Sequence, residues 1–183
     1  QGNATFSQQT PVTPGSTPVH LALEDFDRDG DTDLAIAMQN SQVSLYLNDG
    51  SGAFSLSNSY AAGDTAAALE AVDVDHDRYA DLLVPRGDGN VTVLVNDGNG
   101  AFPTSFSLGN VQGAGASVSA DVNADGKPDV AVLDPDGNGL TLFANNVDTT
   151  IKLPAPPLKM EAKDLQGDLG GNVNLTWRRP RVD

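Results

Sequence analysis

The sequence predicts an all-β chain, with a partial β-propeller of three four-stranded antiparallel repeats of 48 residues followed by a partial β-sandwich. Three observations predict this fold class. An acidic nonapeptide occurs three times at intervals of 48 residues, Gly and Pro supply 19 and 11 of the 183 positions, and a Pro-rich segment separates the repeats from a second pattern. Such a composition is typical of short strands joined by turns, and self-similarity of this length is typical of stacked supersecondary units.

The middle repeat shows the predicted strands most clearly. An alternating stretch enters the acidic loop at Asp73, a dense apolar run leaves it, and two more stretches follow, separated by the turn Asn96-Asp97-Gly98. Asn and Asp before Gly are typical of a tight hairpin, since these residues tolerate positive φ. The four predicted strands cover residues 65–72, 82–84, 91–95 and 104–108.

The first repeat matches the middle one element by element, whereas the third departs from it. One extra residue enters the turn at residues 134–139, and Asn145-Asn146-Val147 replaces the Asn-Asp-Gly turn. The array is therefore predicted to stop near residue 146. This divides a propeller segment at residues 1–150 into repeats of about 2–49, 50–97 and 98–146.

The segment before the first repeat has a predicted role of its own. Phe6, Phe54 and Phe102 keep the 48-residue spacing, so Gly2 to Val12 corresponds to the fourth strand of a further unit. Propellers typically need about 4 to 8 blades to close a ring, but the predicted strands are enough for only three blades. We therefore expect a fragment of a longer array or assembly between chains through exposed blade faces.

The composition changes after Thr150. Residues 151–157 are rich in Pro, which predicts a stiff extended linker. Beyond the linker, Leu158 and Met160 alternate, and Val173, Leu175 and Trp177 alternate again after a predicted turn. Residues 158–183 are predicted to form the first two strands of a sandwich domain.

The charge of the chain limits the possible partners. The formal net charge is −15, from 25 acidic and 10 basic residues. Nucleic acids and anionic membranes are bound through basic patches, so neither is an expected partner. The sequence also has no apolar run long enough to insert in a membrane.

The three acidic nonapeptides predict calcium sites. They read DFDRDGDTD from Asp25, DVDHDRYAD from Asp73 and DVNADGKPD from Asp121. Each places oxygen-bearing side chains at positions 1, 3, 5 and 9, with a backbone carbonyl available at position 7, which suits a loop wrapped around one hard cation. The candidate ligands are Asp25, Asp27, Asp29, Asp31, Asp33, Asp73, Asp75, Asp77, Tyr79, Asp81, Asp121, Asn123, Asp125, Lys127 and Asp129.

The three loops are not predicted to be equal. Gly30 and Gly126 permit a sharp turn at position 6 in their loops, but Arg78 replaces Gly in the second loop. Of up to three calcium sites, the second is therefore expected to be distorted or weaker. The third loop has Asn123 at position 3, and its lower carboxylate count predicts a lower affinity than that of the first loop. An EF-hand is excluded, because its twelfth position needs a bidentate Glu, and position 12 here is Ile36, Val84 or Val132.

With these loops, strands and spacings, the chain resembles the FG-GAP or VCBS repeats of integrin α-type propellers over roughly Gly2 to Asn146. The resemblance implies a propeller whose calcium ions lie in loops between the first two strands of each blade. The segment from Pro154 resembles the start of a fibronectin type III domain, with Trp177 as its core tryptophan.

Two functions fit these features, besides that of a spacer without a ligand. The first is a non-enzymatic, calcium-binding propeller segment of a secreted or cell-surface protein, used for adhesion or for recognition of a protein or glycan. The alternative is an accessory or catalytic propeller part of an extracellular polysaccharide-degrading enzyme. We favour the first, because most acidic clusters are assigned to calcium, and we assign no catalytic residue and no organic cofactor. Arg86-Gly87-Asp88 spells an integrin-recognition tripeptide, but its residues are also ordinary turn residues, and we interpret it as a hairpin turn.

Overall fold

A computed structural model gives the structure of residues 3–109 and 111–147, together with the backbone of two strands at residues 160–164 and 173–177. The chain divides into two compact units, Gln1–Val147 and Asp148–Asp183. Every regular element within the described residues is a β-strand, and all strand pairs are antiparallel, which confirms the predicted all-β fold class. Among those residues there is no helix of the length and apolarity needed to cross a membrane.

Two complete four-stranded sheets form the first part of the larger unit. We call them blade 1 and blade 2. In each, consecutive strands are neighbours in the sheet, and the acidic loop connects the first strand to the second. Blade 1 contains β1 (Pro18–Glu24), β2 (Asp33–Met38), β3 (Gln42–Asn48) and β4 (Phe54–Ala61), and blade 2 contains β5 (Glu70–Val72), β6 (Asp81–Pro85), β7 (Val91–Val95) and β8 (Thr104–Leu108).

Blade 3 has three strands within the described residues: β9 (Ser117–Ala120), β10 (Asp129–Asp134) and β11 (Gly139–Phe143), with β10 in the middle. In the second unit, β12 (Met160–Asp164) pairs with β13 (Val173–Trp177), so that Met160 lies opposite Trp177. β13 coincides with the second predicted alternating stretch, whereas β12 begins at Met160, where the first predicted stretch ends. The predicted linker and the sandwich residues outside these strands lie outside the described residues.

The N-terminal prediction needs a correction. Residues 3–17 form no strand, so the predicted strand over Gly2 to Val12 is wrong within its described part, residues 3–12. Phe6 is 98% exposed, whereas Phe102 at the same repeat position is only 4% exposed. A fourth strand needs the third strand of its own blade beside it, as β4 has β3, and the described residues provide no such strand next to residues 3–17.

The middle strands of the blades are buried on both faces. Since successive side chains of a strand point to opposite faces, such strands read as apolar runs rather than as an alternation. All of β6 and most of β2 and β3 are buried, whereas β4 and β8 are largely exposed. The apolar core therefore lies between neighbouring blades.

Aromatic rings fill the contact between blades 1 and 2. The ring of Phe102 packs edge-on against Phe26 at a centroid distance of 5.8 Å and against Tyr60 at 5.2 Å. Leu45 of blade 1 and Leu82 of blade 2 belong to the same buried cluster. A second cluster joins blades 2 and 3 and contains the aliphatic side chains of Leu83, Val91, Val93, Val111, Val130 and Val132.

Side-chain hydrogen bonds also join the blades. The Asn96 Nδ2 of blade 2 donates to the Phe26 carbonyl at 2.9 Å, and the Asn145 Nδ2 after blade 3 donates to the Val74 carbonyl at 2.7 Å. On the first strands of blades 2 and 3, the Glu70 carboxylate accepts bonds from the Ser117 hydroxyl and from the backbone and hydroxyl of Ser119. Each acidic loop that is followed by a blade is therefore held by that blade.

Replacing Phe102 with Ala should remove the centre of the contact between blades 1 and 2. Truncation of a buried Phe typically costs about 3–5 kcal/mol of unfolding free energy, because a cavity remains. The matched control is Phe6→Ala, for which the exposed side chain predicts a change within about 0.5 kcal/mol. Urea unfolding of both variants measures the difference, and equal stability of the two would contradict this account of the core.

Candidate metal centres

The three acidic loops follow one backbone path, held by their own side chains. The carboxylate at position 1 accepts the backbone N–H of position 6, at 3.1 Å for Asp25, 2.9 Å for Asp73 and 2.9 Å for Asp121. The side chain at position 3 accepts the N–H of position 5, and that at position 5 accepts the N–H of position 7, at 2.8 to 3.2 Å in all three loops. These bonds curl each loop around its own oxygens.

Two positions of each loop have left-handed backbone. At position 6, φ is 97° at Gly30, 76° at Arg78 and 86° at Gly126, which confirms that the predicted Gly position needs positive φ. Position 4 is also left-handed, with φ between 62° and 64° at Arg28, His76 and Ala124. Left-handed backbone at position 4 could not be predicted, because Arg, His and Ala carry no common sequence signal for this conformation.

The aspartate at position 9 closes each loop from inside the protein. Asp33, Asp81 and Asp129 are at most 1% exposed. One carboxylate oxygen accepts the N–H of position 2 at 2.9 to 3.1 Å, and the other accepts the N–H of the Asn that ends or follows the third strand, at 2.8 to 2.9 Å. This residue therefore ties the start of the loop to the end of the third strand.

Carboxylate oxygens converge in the first two loops. In the first loop, oxygens of Asp25, Asp27 and Asp29 lie within 4.8 Å of one another, and in the second the same is true of Asp73, Asp75 and Asp81. Asp33 is not in the first cluster and Asp77 is not in the second, although both were predicted ligands. At position 7, the backbone N–H donates to the side chain of position 5 in all three loops. That the carbonyl oxygens of the position-7 residues, Asp31, Tyr79 and Lys127, bind the cation stays a prediction.

The first loop also contains a buried acceptor without a partner. Asp25 Oδ1 is shielded from solvent and accepts no hydrogen bond, while Asp25 Oδ2 binds the Gly30 N–H. A buried, unpartnered carboxylate oxygen is costly unless a cation or donor satisfies it. The donor set is all oxygen, which suits a hard cation such as Ca²⁺. The residues of the first loop therefore fit a bound calcium ion.

The third loop carries fewer acidic oxygens and a basic side chain. Asp125 Oδ2 accepts a bond from Asn123 Nδ2 at 3.2 Å and lies 3.9 Å from Lys127 Nζ. The lysine partly neutralises the carboxylate that a cation would otherwise bind. Among the described residues no third cluster of three acidic side chains forms around Asp121, Asp125 and Asp129.

Arg28 connects the first loop to the second. Its guanidinium lies 4.4 Å from the centre of the Tyr79 ring, and its Nη2 donates to the Arg78 carbonyl. These contacts bring a positive charge from position 4 of one loop to positions 6 and 7 of the next. The bond to the Arg78 carbonyl also holds the strained Arg78 backbone next to Arg28.

Burial and mutual repulsion shift the titration of these carboxyls. The pKa of Asp81 is raised to about 6, chiefly by burial and also by the charges of Asp75 and Asp77, although two backbone N–H groups act in the opposite direction. Burial likewise raises the pKa of Asp33 and of Asp75, the latter with the help of the Asp77 charge. A bound cation would offset this cost, because it favours the ionised carboxylates.

The comparisons with known proteins agree with this geometry. A family model described as an FG-GAP-like repeat matches residues 25–84 and again residues 73–132, together more than half of the chain. The chain belongs to the FG-GAP-like repeat family. Each match runs from one acidic loop to the strand after the next loop, so the FG-GAP repeat coincides with the loop-to-loop period of the structure. No match to a curated protein was found. The VCBS and fibronectin type III resemblances stay predictions.

The tripeptide Arg86-Gly87-Asp88 lies in the turn between β6 and β7 of the second FG-GAP blade. The Arg86 guanidinium binds Asp88 through two bonds, of 3.0 Å from Nε and 2.8 Å from Nη2, and also donates to the Ala62 carbonyl at 3.0 Å. Both charged side chains are therefore engaged within the protein, which supports the interpretation as a turn.

Replacing Arg78 with Gly should relieve the strain of the second loop. A non-Gly residue in left-handed backbone costs roughly 1–2 kcal/mol, part of which the greater unfolded-state freedom of Gly offsets. We expect Arg78→Gly to raise the unfolding free energy by about 0.5–1 kcal/mol, because the Arg78 carbonyl that binds Arg28 is retained. Urea unfolding tests this, with Arg78→Ala as the control that loses the side chain but keeps the strain. A gain in the Ala variant equal to that in the Gly variant would contradict the backbone explanation.

The raised pKa of Asp81 predicts a pH dependence of the metal-free protein. The folded pKa of about 6 exceeds the unfolded value of about 3.9, so the contribution of Asp81 to stability is fully present below pH 4 and is lost as the pH rises through 6. Between pH 5 and 7 the loss should be about 1 kcal/mol relative to Asp81→Asn, which does not titrate. Urea unfolding in EGTA at both pH values measures it. Parallel pH profiles for the two proteins would contradict the shift.

Proposed function

We propose that the acidic loops bind calcium and that the FG-GAP blades form a rigid, non-enzymatic platform in a secreted or cell-surface protein. The observation that carries the proposal is the buried Asp25 Oδ1 without a partner, inside a cluster with the oxygens of Asp27 and Asp29. In the first loop these three aspartates would hold the ion, and in the second Asp73, Asp75 and Asp81 would do so. The ion would supply positive charge that cancels the repulsion between the carboxylates.

Calcium accounts for the donors better than magnesium does. Ca²⁺ accepts six to eight oxygen ligands in a flexible arrangement, whereas Mg²⁺ demands a near-ideal octahedron and retains waters. Each loop offers several side-chain oxygens on one curled backbone, an arrangement that suits the larger ion. The first loop should bind most tightly, because the second has the strained Arg78 and in the third Lys127 lies beside Asp125.

The proposed location follows from the same chemistry. Extracellular calcium modules typically bind with dissociation constants of about 10⁻⁴ to 10⁻³ M, affinities that cytosolic calcium does not saturate. FG-GAP repeats are typical of extracellular proteins, and the net charge of −15 is compatible with a calcium-rich medium. The platform would serve adhesion or recognition of a protein or glycan.

Calcium binding predicts a defined response to the metal. Titration of the chelator-treated chain with CaCl₂ should release heat and raise the melting temperature, and MgCl₂ at the same concentration should have a smaller effect. Asp27→Asn should weaken the tightest site by about tenfold, because a charged ligand is lost. The Asn can still accept the position-5 N–H, as Asn123 does in the third loop.

The matched control is Asp136→Asn, which removes one exposed carboxylate outside the loops and should leave calcium affinity unchanged. No heat and no thermal shift on adding calcium would contradict the proposal. Recognition is tested separately, by a glycan array and by affinity capture from extracellular protein extracts, both with calcium present. Absence of any calcium-dependent ligand in both assays would contradict that part.

A further inference from the structure

The first acidic loop contacts blade 2 through three consecutive positions, 2, 3 and 4. At position 2, the Phe26 carbonyl accepts a bond from Asn96 Nδ2 at 2.9 Å, and the Phe26 ring packs edge-on against Phe102. Asn96 and Phe102 belong to the segment 96–102 between β7 and β8, which we call the blade 2 turn. Position 2 of the first loop is therefore held by the next blade through a hydrogen bond and through packing.

Asp27, at position 3, also contacts the blade 2 turn. Gly100 of this turn is buried and has a φ of 70°, and a Cβ added to it would lie 3.1 Å from the Asp27 Cβ. Asp27 is one of the three carboxylates that cluster in the first loop, together with Asp25 and Asp29. The side chain of a candidate calcium ligand therefore packs directly against the backbone of blade 2.

Arg28, at position 4, extends to the second loop itself. Its Nη2 donates to the Arg78 carbonyl, and its guanidinium lies 4.4 Å from the centre of the Tyr79 ring. A cation over the face of an aromatic ring is attracted by the ring quadrupole, so this contact is favourable even where it is exposed. Both sequence neighbours of Asp27 are therefore held by blade 2.

The last three residues of the second loop hold the blade 2 turn. Asp81 Oδ1 accepts the Asn96 N–H at 2.8 Å, and the Ala80 carbonyl accepts a bond from Asn96 Nδ2 at 3.0 Å. The Tyr79 ring packs so closely against Gly98 that a Cβ would not fit there, and the Gly98 N–H donates to Asn96 Oδ1 at 3.0 Å. Asn96 is only 2% exposed, so its side chain joins the two loops through bonds shielded from water.

Filling of the second loop would restrain the blade 2 turn. Asp81 shares an oxygen cluster with Asp73 and Asp75, so a cation there holds the same carboxylate that accepts the Asn96 N–H. Without the cation, repulsion between the three carboxylates opposes the closed loop. A turn that is already restrained loses less conformational entropy when the first loop closes against it, so binding to the first loop becomes more favourable.

We propose that the first and second loops bind calcium with positive cooperativity, and that Arg28 and the blade 2 turn transmit the effect. This inference rests on the proposed calcium binding and adds how the two sites act on each other. Because the coupling between two binding sites is reciprocal, occupation of either loop raises the affinity of the other by the same factor, about tenfold for a coupling of ordinary size. The first loop fills first, so the effect is observed as a tighter second loop.

Charge alone predicts the opposite sign. Two bound cations repel each other, and the guanidinium of Arg28 is attracted to the loops less strongly once their carboxylates are neutralised. Loops that interact only through charge would therefore bind calcium with negative cooperativity. Positive cooperativity distinguishes the contacts between the loops from their charges as its source.

Calcium titration followed by amide NMR resonances measures each loop separately, in about 150 mM NaCl to screen distant charges. The Gly30 N–H reports on the first loop and the Arg78 N–H on the second, because each binds the position-1 carboxylate of its own loop. Asp29→Ala removes a clustered carboxylate from the first loop, and the second loop should then fill at about tenfold higher calcium. The charge-matched control is Asp49→Asn, which removes an exposed carboxylate after β3 and should leave the second loop unchanged.

Arg28→Ala tests whether the contacts transmit the effect. Ala124 occupies the same position of the third loop with the same φ of 62°, so the substitution is compatible with the backbone. In the Arg28→Ala background, the response of the second loop to Asp29→Ala should fall from about tenfold to about twofold or less. The matched control is His76→Ala, which changes position 4 of the second loop and should retain the full response.

Three outcomes would each overturn the inference: independent filling of the two loops, a second loop that becomes tighter when the first is emptied, or equal effects of Arg28→Ala and His76→Ala. In all three the Gly30 and Arg78 resonances still shift with calcium, so the proposed calcium binding is retained. Absence of any calcium-dependent shift at both amides would contradict the proposed function as well.

Discussion

Both carboxylate oxygens of a buried aspartate accept backbone N–H groups in every repeat, and the local architecture depends on these two bonds. In blade 2 the residue is Asp81, which binds the N–H of Val74 at the start of the loop and that of Asn96 after the third strand. Asp33 and Asp129 do the same in their blades. Because an ionised carboxylate offers acceptors in two directions, one side chain can fix both a loop and a strand end. An alanine at this position would leave two N–H groups without their acceptors.

These bonds link the metal loops to the packing of the blades. The Asn whose N–H binds the aspartate also donates its side chain to the position-2 carbonyl of the preceding loop, as Asn96 does to Phe26. A conformational change in one loop therefore affects both its own sheet and the next blade. A cation in the second loop would favour the ionised forms of Asp75 and Asp81, whose pKa values are raised chiefly by burial and also by neighbouring carboxylates. This is why we expect calcium to stabilise the array rather than a single turn.

Much of the fold and the positions of the loops could be predicted from the sequence. Local backbone requirements determine which residues can occupy a position. They are visible in the 48-residue period, in the Asn-Asp-Gly turns and in the Gly at position 6. Contacts between blades constrain the sequence less visibly. Neither the bond from Asn145 to Val74 nor the contact of Glu70 with Ser119 could be inferred, because each joins residues that only the packing brings together. The prediction of a strand at residues 3–12 was wrong for a related reason, because a strand forms only beside a neighbouring strand and not from its own sequence alone.

Hydrogen exchange of backbone amides, followed by NMR, tests the central claim that the position-9 aspartate joins each loop to its sheet. The six amides bound by these aspartates belong to Phe26, Asn48, Val74, Asn96, Val122 and Asn145. In EGTA they should exchange much more slowly than the loop amides of Asp29, Asp77 and Asp125, and calcium should slow the loop amides of the first two loops towards the same range. Exchange of the six amides as fast as that of the metal-free loops would contradict the account.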